Sequence, residues 1–181
     1  GAKPFLDEGL LSGASIIVNG ASGVSGAGAT ATDATIFSQV DGNFKAYGLI
    51  DHRHTPEMSK ELGVEVLFTP HLVPMPRGIL TTTYIPCETK LSHKDLNSIY
   101  AKKYDDEPFV FVSDAPPQTK QVTGTNNCIV SAFYDERTKH IVALSAIDNL
   151  VKGSAGQAIQ AANISIDIGE TTGLESIALY P

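Results

Sequence analysis

Seven consecutive residues, Asp51-His52-Arg53-His54-Thr55-Pro56-Glu57, bring together two histidines, an arginine and two carboxylates. Histidine takes up and releases protons near neutral pH, and a nearby carboxylate can orient it and tune its pKa. The arginine between the histidines offers a planar fork for a carboxylate or phosphate. These types at this spacing point to acid–base chemistry on a substrate carrying an anionic group. His52 or His54 would be the acid/base, with His52 favoured. Glu57 would be the carboxylate that orients it, and Arg53 and His54 would contact the anion. The plainer reading is a solvated loop in which charges happen to cluster.

The flanking residues say what must position this cluster. Residues 44–50 alternate in the manner of a strand, with Phe44, Ala46, Gly48 and Ile50 on one side. After it, Thr55 is suited to N-cap a helix, Pro56 to its first position and Glu57 to its first turn. The cluster is therefore expected between a strand end and a helix start, where α/β proteins usually place their chemistry. A second candidate is the glycine-rich run 20–28, which follows a β-branched strand at 15–19. Gly20, Gly23 and Gly26 are spaced as in a relative of the dinucleotide fingerprint. Three readings are taken in order: a loop whose backbone N–H groups a substrate's anionic group can approach, a cofactor fingerprint, and a plain turn.

The rest of the chain reads as strands in adjacent runs with few helices between them. Strands are expected at 64–68, 78–85, 109–112 (short and buried), 127–134 and 140–147, the last two joined by a polar hairpin loop. Three prolines within 70–76 make residues 69–78 a stiff connector holding His71 and Arg77. A helix over 92–103 has Ser92 as cap, Asp95 at the capping-box position, and Leu96, Ile99 and Tyr100 as its apolar face. Residues 3–11 read as the tail of a helix. Small residues at 148–157 lead into a last helix with Ala158, Ile159 and Ala162 on one side. This pattern predicts an α+β fold: a mixed, largely antiparallel sheet with helices on one face, in one domain over 1–181.

With 181 residues, 42% hydrophobic and 18% charged, the chain can bury a real core. A net charge of -7 without a Lys/Arg-rich run argues against nucleic acid or an anionic membrane as partner, and leaves room for a small anionic substrate. No metal site is expected. Apolar runs fall short of a membrane span, and the two cysteines, Cys87 and Cys128, suit a reducing cytoplasm. The opening Gly1-Ala2-Lys3-Pro4, without Met, suggests either a processed chain or a domain cut from a longer one.

Four motifs then occur in order: Gly-Val-Ser-Gly-Ala-Gly at 23–28, His-Arg-His-Thr-Pro-Glu at 52–57, Phe-Thr-Pro-His-Leu-Val-Pro-Met-Pro-Arg-Gly at 68–78, and Asp-Asn-Leu-Val-Lys-Gly-Ser-Ala-Gly-Gln-Ala at 148–158. Together they resemble the N-acetyl-γ-glutamyl-phosphate reductases of arginine biosynthesis, over nearly the whole chain. That resemblance implies NADPH-dependent reduction of an acyl phosphate to a semialdehyde through a cysteine thioester. It implies a second domain like that of glyceraldehyde-3-phosphate dehydrogenase, and a homo-oligomer. It places Ser22, Gly23, Ser25, Arg53, His71 and Arg77 near the substrate, and Gly153, Ser154, Ala155 and Gly156 on the nicotinamide side of NADP. The family's Gly-Cys-Tyr-Pro nucleophile motif and its N-terminal cofactor domain have no counterpart here. The resemblance therefore implies the second domain alone. A stand-alone nucleotide-binding module and a non-catalytic oligomerisation domain are the alternatives.

Overall fold

A computed structural model describes residues 1–28, 30 and 32–179. Its frame is a seven-stranded sheet. In chain order the strands are β1 (Ser15–Gly23), β2 (Lys45–Ala46), β3 (Glu65–Val73), β4 (Ile79–Pro86), β5 (Val110–Val112), β6 (Cys128–Asp135) and β7 (His140–Ile147). In space the order is β2-β3-β1-β4-β7-β6-β5. The β1–β3 and β5–β6 pairs are parallel and the other four are antiparallel, so the expected mixed, largely antiparallel sheet is what forms. The helices are α1 (Lys3–Asp7), α2 (Phe37–Val40), α3 (Thr55–Leu62), α4 (His93–Tyr104) and α5 (Gly156–Ser165).

One face of the sheet carries the core. Ile16, Val18, Val66, Ile85, Ile141, Ala143, Val130 and Ala132 pack there against Phe5 of α1, Met58 and Leu62 of α3, and Leu96 and Tyr100 of α4. The fixed alternation of side chains puts their neighbours on the other face. There Leu67 stands opposite Ile17, Ile17 opposite Tyr84, Tyr84 opposite Val142, and Val142 opposite Phe133. The result is an unbroken apolar row across five strands, of which Ile17 and Leu67 remain 40% and 55% exposed.

The capping box at Ser92 and Asp95 forms as expected, with each residue's side chain meeting the other's backbone N–H. Leu96 and Tyr100 are fully buried beneath it. Other expectations are corrected. The strand expected over 44–50 is paired only at Lys45–Ala46, because Gly48 (φ 52°) and Ile50 (φ 73°) turn the chain away. Thr55 is a helical residue rather than the cap. His54 takes the cap position, because a turn from Thr55 N–H to the His52 carbonyl starts the helix early. Half of the expected proline connector is strand: β3 continues to Val73 through Pro70, whose missing N–H faces the two-residue edge strand β2. At β5, Phe111 and Val112 are 48% and 39% exposed rather than buried, since that strand is paired on one side only. In α5 the buried residues are Gly156, Gln160 and Asn163, while Ala158, Ile159 and Ala162 face outward.

The glycine run is also not a loop at its start. Gly20 and Gly23 lie inside β1, paired with β3 on one side, and a single 3-10 turn, Val24–Ala27, follows. A dinucleotide fingerprint needs its glycines in a turn that opens a helix, and that arrangement is not present among the described residues. Part of the segment expected to follow the loop, at residues 29 and 31, lies outside the described residues.

Candidate functional site

The strand directions bring four segments to one end of the sheet. These are the turn after β1, the crossing from β3 to β4 (74–78), the turn after β7 (148–155) and the approach to β6 (122–127). Backbone bonds fasten the first two together. Gly23 N–H donates to the Gly78 carbonyl at 2.8 Å, Val24 N–H to Met75 at 3.0 Å and Ser25 N–H to Pro76 at 3.3 Å. A side chain on Gly23 would stand 2.9 Å from the Met75 oxygen and 3.0 Å from Arg77 backbone atoms, so glycine is required for this approach.

Asp148, fully buried, anchors the remainder. Its carboxylate accepts from Gly124 N–H (2.6 Å), Leu150 N–H (2.8 Å), Val151 N–H (3.1 Å) and Arg77 Nη2 (3.2 Å to Oδ1 and 3.1 Å to Oδ2). Burial pushes this carboxyl up, but the Gly124, Leu150, Arg77 and Val151 donors outweigh it and hold its pKa below 3.8. The next residue, Asn149, accepts from Gly78 N–H at 2.6 Å and donates to Ser25 Oγ at 2.8 Å. Neither residue was given its own role from sequence. The available signal was a polar pair directly after an apolar strand, within the fourth motif.

His52 lies beside Phe68 of β3. Its ring meets Phe68 edge-on at 5.1 Å, Tyr47 at 5.7 Å and His54 at 5.0 Å. The His54 backbone N–H donates to His52 Nδ1 at 3.3 Å, which leaves the neutral ring's proton on Nε2. Burial lowers the His52 pKa, the positive charges of His54 and Arg53 lower it further, and Asp51 opposes them. These effects together favour the uncharged imidazole.

Other candidates are placed differently. Glu57 is exposed on the first turn of α3, and no hydrogen bond joins it to His52 among the described residues. Its position there suits the helix dipole. Arg53 is exposed beside His52, whereas Arg77 is committed to Asp148, with its Nε buried and unpartnered. His71 is not brought to His52. It follows Phe68 by an odd number of residues, so it lies on the other face of β3, where its ring stacks on Phe44 at 5.1 Å. Ser22 and Ser25 are half-buried at the rim. Gly153, Ser154 and Ala155 are exposed in a π-helical turn, but Gly156 is buried. A side chain on Gly156 would stand 2.4 Å from Asn126 Oδ1 and 2.9 Å from the Val151 oxygen, so its smallness serves internal packing.

Comparison with known proteins follows the same outline. Residues 1–149 match the family described as semialdehyde dehydrogenase, dimerisation domain. An N-acetyl-γ-glutamyl-phosphate reductase of Pelotomaculum thermopropionicum is 47% identical over 98% of this chain and 54% of its own length. That of Desulforamulus reducens is 44% identical over 100% of this chain and 55% of its own length. The chain thus spans about half the length of the curated relatives it matches. Among solved structures, aspartate semialdehyde dehydrogenase II of Vibrio cholerae, in complex with ASA, superposes with a TM-score of 0.68 at 18% identity, covering 92% of this chain and 58% of that one. A probable aspartate-semialdehyde dehydrogenase of Pseudomonas aeruginosa gives 0.68 at 15% identity, over 90% and 57%.

The Asp148 carboxylate yields a pH prediction. Its folded pKa is depressed, so its stabilisation is complete above the unfolded value of about 3.9 and is lost as pH falls through the lower folded value. Asp148→Asn should lower stability at neutral pH by roughly 1–3 kcal/mol. It should also flatten the fall in urea midpoint below about pH 4. Urea titrations of both proteins across that range measure this. An unchanged acid limb in the variant would remove Asp148 from the account.

Proposed function

The chain belongs to the semialdehyde dehydrogenase dimerisation-domain family, and from that premise we propose that it is the catalytic and dimerisation half of an N-acetyl-γ-glutamyl-phosphate reductase. The observation that carries this reading is His52 set against Phe68 and Tyr47 beside a sheet whose strands end in a rim built from the Ser22–Ala27 turn, Arg77 and Asp148. In the whole protein a cysteine outside these residues would displace phosphate from the acyl carbon, leaving a thioester that is then reduced to the aldehyde. NADPH, when bound, supplies the hydride.

This chain's own residues divide the remaining work. His52, with its proton on Nε2, meets the negative charge that develops on the substrate oxygen, and partial burial with the neighbouring His54 and Arg53 charges favours its neutral form beforehand. Arg53 is the free guanidinium for the substrate's anionic end. Arg77 holds the rim through Asp148. Ser22 and Ser25 lie on the substrate side, and the exposed Gly153, Ser154 and Ala155 face the cofactor. Neither cysteine present suits the nucleophile's role. The Cys87 thiol is 1% exposed and donates to the Thr89 carbonyl, and burial pushes the pKa of both Cys87 and Cys128 up. The apolar row Leu67–Ile17–Tyr84–Val142–Phe133 is the surface on which two copies pair; among the described residues only its Phe133 end meets a helix, where the α4 residue His93 stacks on it.

Three outcomes test this reading. The 181-residue chain alone should give no phosphate-dependent NADPH production from N-acetylglutamate semialdehyde. Turnover by the purified chain would contradict the assignment of the nucleophile to another segment. In the full-length protein, His52→Asn should lower kcat by ~10²–10⁴-fold with little change in KM. Near-normal kcat in His52→Asn beside a crippled His54→Asn would transfer the role to His54. Sedimentation should find the chain self-associated, and Ile17→Asp or Leu67→Asp should shift it to monomer. A wild type that stays monomeric at high concentration would refute the sheet-face pairing.

A further inference from the structure

We infer that Asn149 is a positioning residue that makes the Ser25 hydroxyl a hydrogen-bond donor to the substrate's anionic group; this rests on the proposed reductase reading. The argument begins with an amide whose orientation is fixed chemically. Gly78 N–H can only donate, and it meets Asn149 at 2.6 Å in a buried setting, so the atom facing it is the amide oxygen. The amide nitrogen therefore faces Ser25 and donates to its Oγ at 2.8 Å. That bond occupies a lone pair of the hydroxyl. Among the described residues Ser25 Oγ makes no other hydrogen bond, so its proton is left to point outward. Without Asn149 the hydroxyl would rotate freely and act as readily as an acceptor, which an anion does not reward.

The backbone around the pair is held independently. Ser25 N–H is bonded to Pro76, Gly23 N–H to Gly78, and Asp148 is tied to the Gly124, Leu150 and Val151 N–H groups. Gly26 passes over the amide, and a side chain there would stand 3.6 Å from Asn149 Nδ2 and 3.4 Å from Ser22 Oγ. Asn149 thus links the head of β4, the substrate-side turn and the turn proposed to face the cofactor.

The test is steady-state kinetics of the full-length protein with Asn149→Asp, Ser25→Ala, Ser25→Thr and the double variant Asn149→Asp/Ser25→Ala. Aspartate still accepts from Gly78, but it turns the Ser25 proton inward. KM for the acyl phosphate should rise about 10-fold or more in Asn149→Asp and in Ser25→Ala, the scale of one hydrogen bond to a charged group, with kcat nearly unchanged. Ser25→Thr should keep the wild-type KM, and the double variant should be no worse than the worse single variant. Should Asn149→Asp not fold, Asn149→Ala is read in the same cycle. Additive losses, or an active wild type whose KM is indifferent to Asn149, overturn this inference alone. An inactive wild type overturns the reductase reading and this inference with it.

Discussion

One buried carboxylate organises the end of the sheet at which β1, β3 and β7 finish. Asp148 has no exposed surface, and an unpaired charge there would cost several kcal/mol. It is satisfied by three backbone N–H groups and one guanidinium, and those donors come from three separate segments: Gly124, Leu150 with Val151, and Arg77. The carboxylate's need for donors therefore dictates where the approach to β6, the turn after β7 and the crossing from β3 to β4 must lie. Arg77 shows the consequence most clearly. As a residue type it suits substrate binding, but Asp148 has the prior claim on its Nη2, so its charge is largely spent on structure.

The glycines that resemble a nucleotide fingerprint answer to the same geometry. Gly20 leaves room for the Phe68 ring, which would otherwise be 3.1 Å from a side chain, and Phe68 in turn backs His52. Gly23 admits the 74–78 crossing, and Gly78 (φ 111°) turns past Thr119. Gly20, Gly23 and Gly78 are each where another part of the protein comes close, whereas Gly26, the third glycine of the fingerprint spacing, has only ordinary contacts at 3.4 and 3.6 Å. Glycine spacing in a sequence reports close approach; what approaches is decided by pairing between distant strands.

That distinction marks what was legible in the sequence. Elements defined by local chemistry were readable to within a residue or two: the Ser92–Asp95 capping box, the strand that ends at Ile147, and the polar hairpin between Asp135 and His140. Features set by distant partners were not. The strand expected at 44–50 shrinks to two residues because β3 offers it pairing only near His71 and Leu72. His71 and His52 look like members of one site on the sequence, yet the pleat of β3 separates them. In α5 both faces carry plausible contact residues. The polar one is buried because Gln160 reaches Asn126 and Glu170, and Asn163 reaches the carbonyls of Glu170 and Thr172.

The same inversion in α5 bears on how the domain is used. Burying glutamine and asparagine while Ile159 stays 46% exposed is unfavourable for a helix whose surroundings end here, since apolar surface left in water forgoes about 25 cal/mol per Å². The open sheet face makes the same concession with Ile17 and Leu67. The α5 surface follows the turn after β7, whereas the apolar row crosses the strands well away from the rim built on Asp148 and Asn149, with Ile17 near the start of β1 and Leu67 near the start of β3. A domain meant to stand alone would gain by covering them. Whatever covers these surfaces, the rim itself is held by buried polar bonds within the chain, from Asp148 to Gly124, Leu150, Val151 and Arg77 and from Asn149 to Gly78 and Ser25, so its shape does not depend on that cover.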